Sequence, residues 1–106
     1  MKITELGALE ELVLIICVIL REDAYAVTIV KELESHSGST MSISSIHTTL
    51  YRLENKGFLT SKMGGATSER GGRQKRLFEC TQQGMHALQR AKELRESLWQ
   101  LIPKPS

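Results

Sequence analysis

The run Leu12-Val-Leu-Ile-Ile-Cys-Val-Ile-Leu20 constrains this chain more than any other stretch. Nine consecutive apolar residues must leave water, yet they are too few to span a bilayer, which takes roughly twenty. The flanks do not suit a secretory signal either. Glu5, Glu10 and Glu11 precede the run where positive charge belongs, and Glu22-Asp23 follow it, although Ala24-Tyr25-Ala26 imitates a cleavage site. The spacing Leu6, Leu9, Leu12/Val13, Ile16, Leu20 is that of a helix over about Thr4 to Arg21. Its second half is apolar nearly all round, which predicts burial on more than one side.

The remaining elements follow from the same reading. Asp23 is the expected N-cap of a second helix, Ala24 to about His36, with Ala24, Val27, Val30, Leu33 and neighbouring Ile29 inward and Gly38 at its end. Met41-Ser42-Ile43 alternates like a short strand. Ser44 or Ser45 then caps a third helix running to about Lys56. Its inner stripe is Ile46, Leu50 and Leu53, and its outer face Ser45, His47, Thr48, Thr49, Tyr51 and Arg52. Phe58–Met63 and Arg73–Cys80 read as two strands around a loop rich in Gly and Ser, a hairpin. Thr81 caps a last helix to about Ile102, where Pro103 and Pro105 stop it. Gly84 near its start costs about 1 kcal/mol against Ala.

The chain has 106 residues, room for one structural domain with a thin core. Aromatics make up 5%, so large anchors are few and a symmetric partner would help. Cys17 and Cys80 make no disulfide framework. A free thiol at Cys17 behaves as a small hydrophobe, and this usage fits a reducing cytosol.

Three helices and then a hairpin is the order of a winged helix-turn-helix. The expected class is therefore mainly α with a small β-hairpin, a winged helix-turn-helix plus a C-terminal dimerisation helix. Residues 1–80 form the DNA-binding part and residues 81–106 the dimerisation helix and tail. Charge supports this reading. The formal net charge is +2, but Arg52 to Arg76 holds seven basic and two acidic residues, so that stretch carries +5 and the rest −3. Such a block marks a polyanion site or a solvated loop; its place on the third helix and the hairpin favours nucleic acid. A helix with short hydrogen-bonding side chains suits the major groove, and Arg52 can fork onto a phosphate or a guanine.

Three segments then carry a family resemblance. Leu53-Glu54-Asn55-Lys56-Gly57-Phe58-Leu59, Glu69-Arg70-Gly71-Gly72-Arg73-Gln74-Lys75-Arg76 and Leu77-Phe78-Glu79-Cys80-Thr81-Gln82-Gln83-Gly84 resemble the PadR family of bacterial transcriptional regulators. Leu6-Gly7-Ala8-Leu9-Glu10 and Asp23-Ala24-Tyr25 are similar to its first two helices. The Gly-Gly-Arg wing and the Thr-x-x-Gly one strand later are the most specific parts. Two positions depart from the family pattern: Ala26 stands where Gly is usual, and His47 where a phosphate-binding Tyr is usual. The resemblance implies a homodimeric, cytoplasmic, nucleoid-associated repressor of promoters, of the short subgroup with a single terminal helix.

The candidate contacts to duplex DNA are Tyr25, Ser44, Ser45, His47, Thr48, Thr49 and Arg52, with Arg70, Gly71, Gly72, Arg73 and Lys75 on the wing. The alternative is a protein-interaction module that keeps the fold without binding DNA. In the terminal helix, Ala87, Ala91, Leu94, Leu98 and Leu101 follow coiled-coil spacing, widened by Leu88, Trp99 and Ile102. Roughly 22 residues span on the order of 33 Å, more than a chain of this size covers by itself. The expected dimer interface is Leu6, Leu9, Leu88, Ala91, Leu94, Leu98, Trp99, Leu101 and Ile102.

Trp99 is expected as interface core. The resemblance to drug-sensing members, which carry a Trp about one turn earlier in this helix, adds a second role as the wall of an effector pocket. With Glu96 the only nearby acid, a neutral or weakly polar effector is expected. His36, His47 and His86 share no ligand spacing with the cysteines, and neither a Walker loop nor a nucleophile constellation is present. No metal, cofactor, membrane association or enzymatic activity is expected.

Overall fold

The computed structural model describes residues 5–64 and 75–104. Helix α1 spans Ala8–Leu20 and starts at Gly7, whose N–H donates to Glu10 Oε1 at 2.7 Å. An acid in the first turn thus satisfies a backbone donor that has no intrahelical partner, and complements the helix dipole. Val13, Leu14, Ile16 and Cys17 are buried, but Leu12, Ile15 and Ile19 are 48%, 38% and 57% exposed. Burial on more than one side is thus as expected: α1 packs against α2, α3, β2 and α4, and only the stripe of Leu12, Ile15 and Ile19 stays open.

A single 3-10 turn, Arg21–Asp23, separates α1 from α2, Ala26–Ser37. This turn delays the second helix by two residues, so the N-cap is Tyr25 and not Asp23. Thr28 Oγ1 accepts the Tyr25 N–H at 3.0 Å. The inner stripe is accordingly Ala26, Ile29 and Leu33, while Val27 is 50% exposed. Gly38 ends the helix with φ +74, as expected of a left-handed cap.

Met41–Ile43 is not a strand. Glu34 Oε2 accepts the Met41 N–H at 2.9 Å, and Ser42 Oγ accepts the Ser45 N–H at 3.0 Å. Ser42, rather than Ser44 or Ser45, is therefore the N-cap of α3, Ile43–Asn55. A three-residue extended piece needs a paired neighbour, and among the described residues the sheet has two strands, both in the hairpin.

Strands β1, Leu59–Met63, and β2, Arg76–Cys80, pair antiparallel from Leu59↔Cys80 to Met63↔Arg76. Leu59 and Phe78 point into the core, each 1% exposed. The Phe78 N–H donates to the Ala24 carbonyl at 3.0 Å, which stitches the hairpin to the α1–α2 connection.

Helix α4, Gln82–Trp99, is capped by Thr81 as expected and ends three residues before Ile102. Gly84 has a packing reason. A Cβ there would lie 2.4 Å from the Phe58 carbonyl oxygen and 2.8 Å from Cys80 Sγ. The close approach of α4 to the hairpin outweighs the lost helix propensity.

Two acids of α1 are buried with partners. Glu10 meets Lys56 Nζ at 2.8 Å, and Glu11 meets Arg95 Nη2 at 2.7 Å. Burial pushes the Glu10 carboxyl up. The Gly7 N–H and the Lys56 ammonium outweigh it, and Arg52 adds to them, so the group is held below its ordinary 4.5. A depressed carboxyl stabilises the fold above its unfolded value and loses that contribution as pH falls through the folded one. Glu10→Gln should therefore cost about 1–3 kcal/mol at neutral pH, where charge-assisted bonds are lost. The gap to wild type should close below pH 4.5. Urea denaturation at about pH 7 and pH 3 checks this, and an equal gap at both would remove the ion pair from the account.

Candidate nucleic-acid interface

The site is built on α3. Ile46, Leu50 and Leu53 are fully buried and fix its rotation. Residues three and four apart share a face, so the opposite side is offered to solvent. Ser44, Ser45, Thr48, Tyr51 and Arg52 are exposed there. Thr48 Oγ1 donates to the Ser44 carbonyl at 3.0 Å, leaving its lone pairs open. Ser42 Oγ lies 2.9 Å from Ser44 Oγ, so the cap itself belongs to the hydroxyl cluster.

Two expected contacts are placed differently. Thr49 is 5% exposed, and its hydroxyl donates inward to the Ser45 carbonyl at 2.8 Å. Positions 46, 49, 50 and 53 form one helical stripe, so Thr49 belongs to the inner face. His47 is half-buried and stacked on Tyr51, with ring centroids 6.1 Å apart and 24° between planes. Its Nδ1 is buried without a hydrogen-bond partner.

The hairpin joins this face through a polar chain. Arg76 Nη1 donates to Ser61 Oγ at 2.9 Å, and Ser61 donates to Glu54 Oε2 of α3 at 2.6 Å. Neither Arg76 nor Ser61 was singled out from sequence, because the link depends on strand register. Lys75 precedes β2 and places its Nζ 5.5 Å from the centre of the Tyr25 ring. The start of α2 and the neck of the hairpin thus meet. Arg70, Gly71, Gly72 and Arg73 lie outside the described residues.

The expected interface residues divide along α4. Leu6 is 5% exposed and belongs to the chain's own core, and Ala87 and Ala91 are buried as well. Burial within the chain leaves Leu6 and Ala91 little surface for a partner. Leu9, Leu88 and Leu94 are half-buried. Leu98, Trp99, Leu101 and Ile102 are 57%, 71%, 77% and 55% exposed. A groove of about 600 Å³ runs along Ile15, Met85, Leu88, Arg95 and Trp99. The outward residues of α1 (Leu12, Ile15, Ile19) were missed as candidates, since the all-round apolar run gave no sign of which side would stay open.

Three helices, the third with an exposed hydroxyl-rich face, followed by a two-stranded antiparallel wing, define a winged helix-turn-helix. The sequence model of the Transcriptional regulator PadR-like family matches residues 15–90, and the chain belongs to that family. It is a family of regulators rather than of enzymes.

Among solved structures, the chain is similar to a PadR family transcriptional regulator from Eggerthella lenta. The identity is 26%, the TM-score 0.67, and the match covers 84% of this chain and 75% of that one. A PadR-like transcriptional regulator from Bacillus cereus shares the fold at 22% identity and TM-score 0.69, over 93% and 95% of the two chains. A transcriptional regulator from Clostridium thermocellum shares it at 17% identity and TM-score 0.71, over 90% and 86%. Comparison with curated proteins returns no match. Among the described residues, no helix is long and apolar enough to cross a membrane.

Proposed function

We propose that this chain binds duplex promoter DNA as a cytoplasmic, nucleoid-associated homodimer and represses transcription, with release by a neutral apolar or aromatic effector. The observation that carries the reading is the exposed face of α3. Ser44, Ser45, Thr48 and Arg52 stand together on a helix whose other side is fully buried. Hydroxyls and a guanidinium suit base edges and phosphates, and a helix of this width fits the major groove. Residues 1–80 make this contact. Residues 81–106 dimerise through the exposed apolar end of α4. The effector reading rests on Trp99, whose ring borders the apolar groove between α4 and α1. Quenching of its fluorescence by planar aromatic compounds is the readout, and no quenching up to about 1 mM, where roughly −4 kcal/mol of binding would show, removes the effector.

Selection from a genomic fragment library at about 150 mM salt tests the DNA reading. An enriched operator is expected. No enriched fragment would favour the interaction module instead. Arg73→Ala with Lys75→Ala should weaken binding to all fragments and reduce the salt slope by about 2, one unit per lost phosphate contact. Thr48→Ala should instead change the preference between fragments, with a cost of about 1–3 kcal/mol on the best one. Uniform weakening by Thr48→Ala would take that residue out of base readout.

A further inference from the structure

A cavity of about 700 Å³ lies between the end of α1 and the hairpin, and no residue of α2 or α3 lines it among the described residues. Three sulfur-bearing side chains from three elements border it: Cys17 of α1, Cys80 at the end of β2, and Met85 of α4. Both thiols are free. Cys17 is 2% exposed. The Cys80 thiol makes only a weak bond to the Thr81 carbonyl, at 3.4 Å. Gly84 lets α4 pack directly on the Cys80 thiol, since a Cβ there would lie 2.8 Å from Sγ. Burial pushes the Cys17 thiol up to about 12, and Cys80 is near enough to add to the rise. Burial raises the Cys80 thiol as well. Both are therefore protonated at rest.

The ligand chemistry is selective. Thiolate and thioether are soft donors and favour soft cations. Zinc takes four donors of the His, Cys or carboxylate kind in a structural site, or three with a water in a catalytic one. No cluster of three or more His, Cys, Asp or Glu suited to a metal exists among the described residues. Two thiolates and a thioether suffice for a closed-shell monovalent cation, which accepts two or three sulfurs. The charged residues lining the cavity are Arg21, Lys62, Glu22 and Glu79. The carboxylates are hard donors that such a cation disfavours, and with Arg21 and Lys62 they sum to zero, so the lining adds nothing to the single negative charge of a bis-thiolate complex.

We propose that this cavity is a site for a soft monovalent cation, Cu(I) or Ag(I), held by Cys17 and Cys80 as thiolates with the Met85 thioether as third donor. Binding forms two metal–sulfur bonds and releases two thiol protons to solvent. No electron is transferred. The bound ion ties the end of β2 to α1, at the root of the wing. The site is independent of the DNA reading and is tested without DNA.

The experiment is an anaerobic titration of the full chain with Cu(I) in competition with a colorimetric Cu(I) chelator, repeated with Ag(I). The wild type should take up one ion per chain, with a thiolate-to-copper charge-transfer band. Cys80→Ala, at a half-buried position, should abolish uptake, and Met85→Leu should weaken it about tenfold. X-ray absorption of the loaded wild type should show two or three sulfurs around copper, and one equivalent should shield Cys80 from maleimide. Those two measurements stand even where a variant fails to fold. The site is overturned by no uptake against the chelator, by full uptake in a folded Cys80→Ala, by nitrogen or oxygen in place of sulfur around copper, or by conversion of both thiols to a disulfide without metal bound.

Discussion

Phe78→Ala should lower the unfolding free energy by about 3–5 kcal/mol, the cost of truncating a fully buried aromatic ring and leaving a cavity. Phe78 is the largest fully buried side chain, and its own N–H anchors the hairpin to the α1–α2 connection. Small domains hold only about 5–15 kcal/mol in total, so one residue removes about a fifth or more of the margin. Urea denaturation followed by circular dichroism measures the loss. Phe78→Leu should keep more of the stability, because it fills part of the volume. A loss under about 1 kcal/mol for Phe78→Ala would mean that the hairpin is not seated on the core as described.

The second large effect concerns the exposed end of α4. Leu98→Asp with Leu101→Asp should convert the proposed dimer to a monomer and reduce operator affinity by about 10²–10⁴-fold, the range expected when two linked half-site contacts become one. Both leucines are more than half exposed within the chain, so the fold of the single chain should keep its stability to within about 0.5 kcal/mol. Sedimentation gives the oligomeric state, and binding to the selected operator gives the affinity. A variant that stays dimeric would move the interface to the open stripe of α1, Leu12, Ile15 and Ile19. A monomer with unchanged affinity would separate dimerisation from DNA binding.

The order and type of the four helices and the hairpin, and most of their inner faces, were legible from residues alone; the expected strand at Met41–Ile43 and the 3-10 turn at Arg21–Asp23 were not. Ile46, Leu50 and Leu53 at spacing four and three could only be one stripe of a helix, and they are fully buried. Thr81 and Gly38 are the caps their chemistry suggested. Local backbone bonding made those readings reliable, since a cap or a stripe is decided within one or two turns. The errors share a cause. Asp23 and Tyr25 are both possible starts for α2, and the choice fell to a 3-10 turn that the Phe78–Ala24 bond holds against the hairpin. Ser42, Ser44 and Ser45 can all cap; Glu34, reaching from α2 to the Met41 N–H, helped settle the start at Ser42.

Polarity placed Thr49 outside, but helix rotation is set by the large apolar residues, and a threonine can satisfy its hydroxyl on its own backbone. Gly84 looked like a weak point of α4 until the distance to the Phe58 carbonyl showed what it makes room for. Cys17 and Cys80 are 63 positions apart in the sequence, and nothing local relates them; one cavity does. The sequence by itself determined which elements form, which face of each is apolar and where the basic charge concentrates, because periodicity and caps act over a few residues. Only the tertiary structure decided which apolar faces found partners inside the chain, which hydroxyls stayed outside and which distant side chains met. Those outcomes depend on how the elements pack against one another, and packing is a property of pairs of elements that no single segment contains.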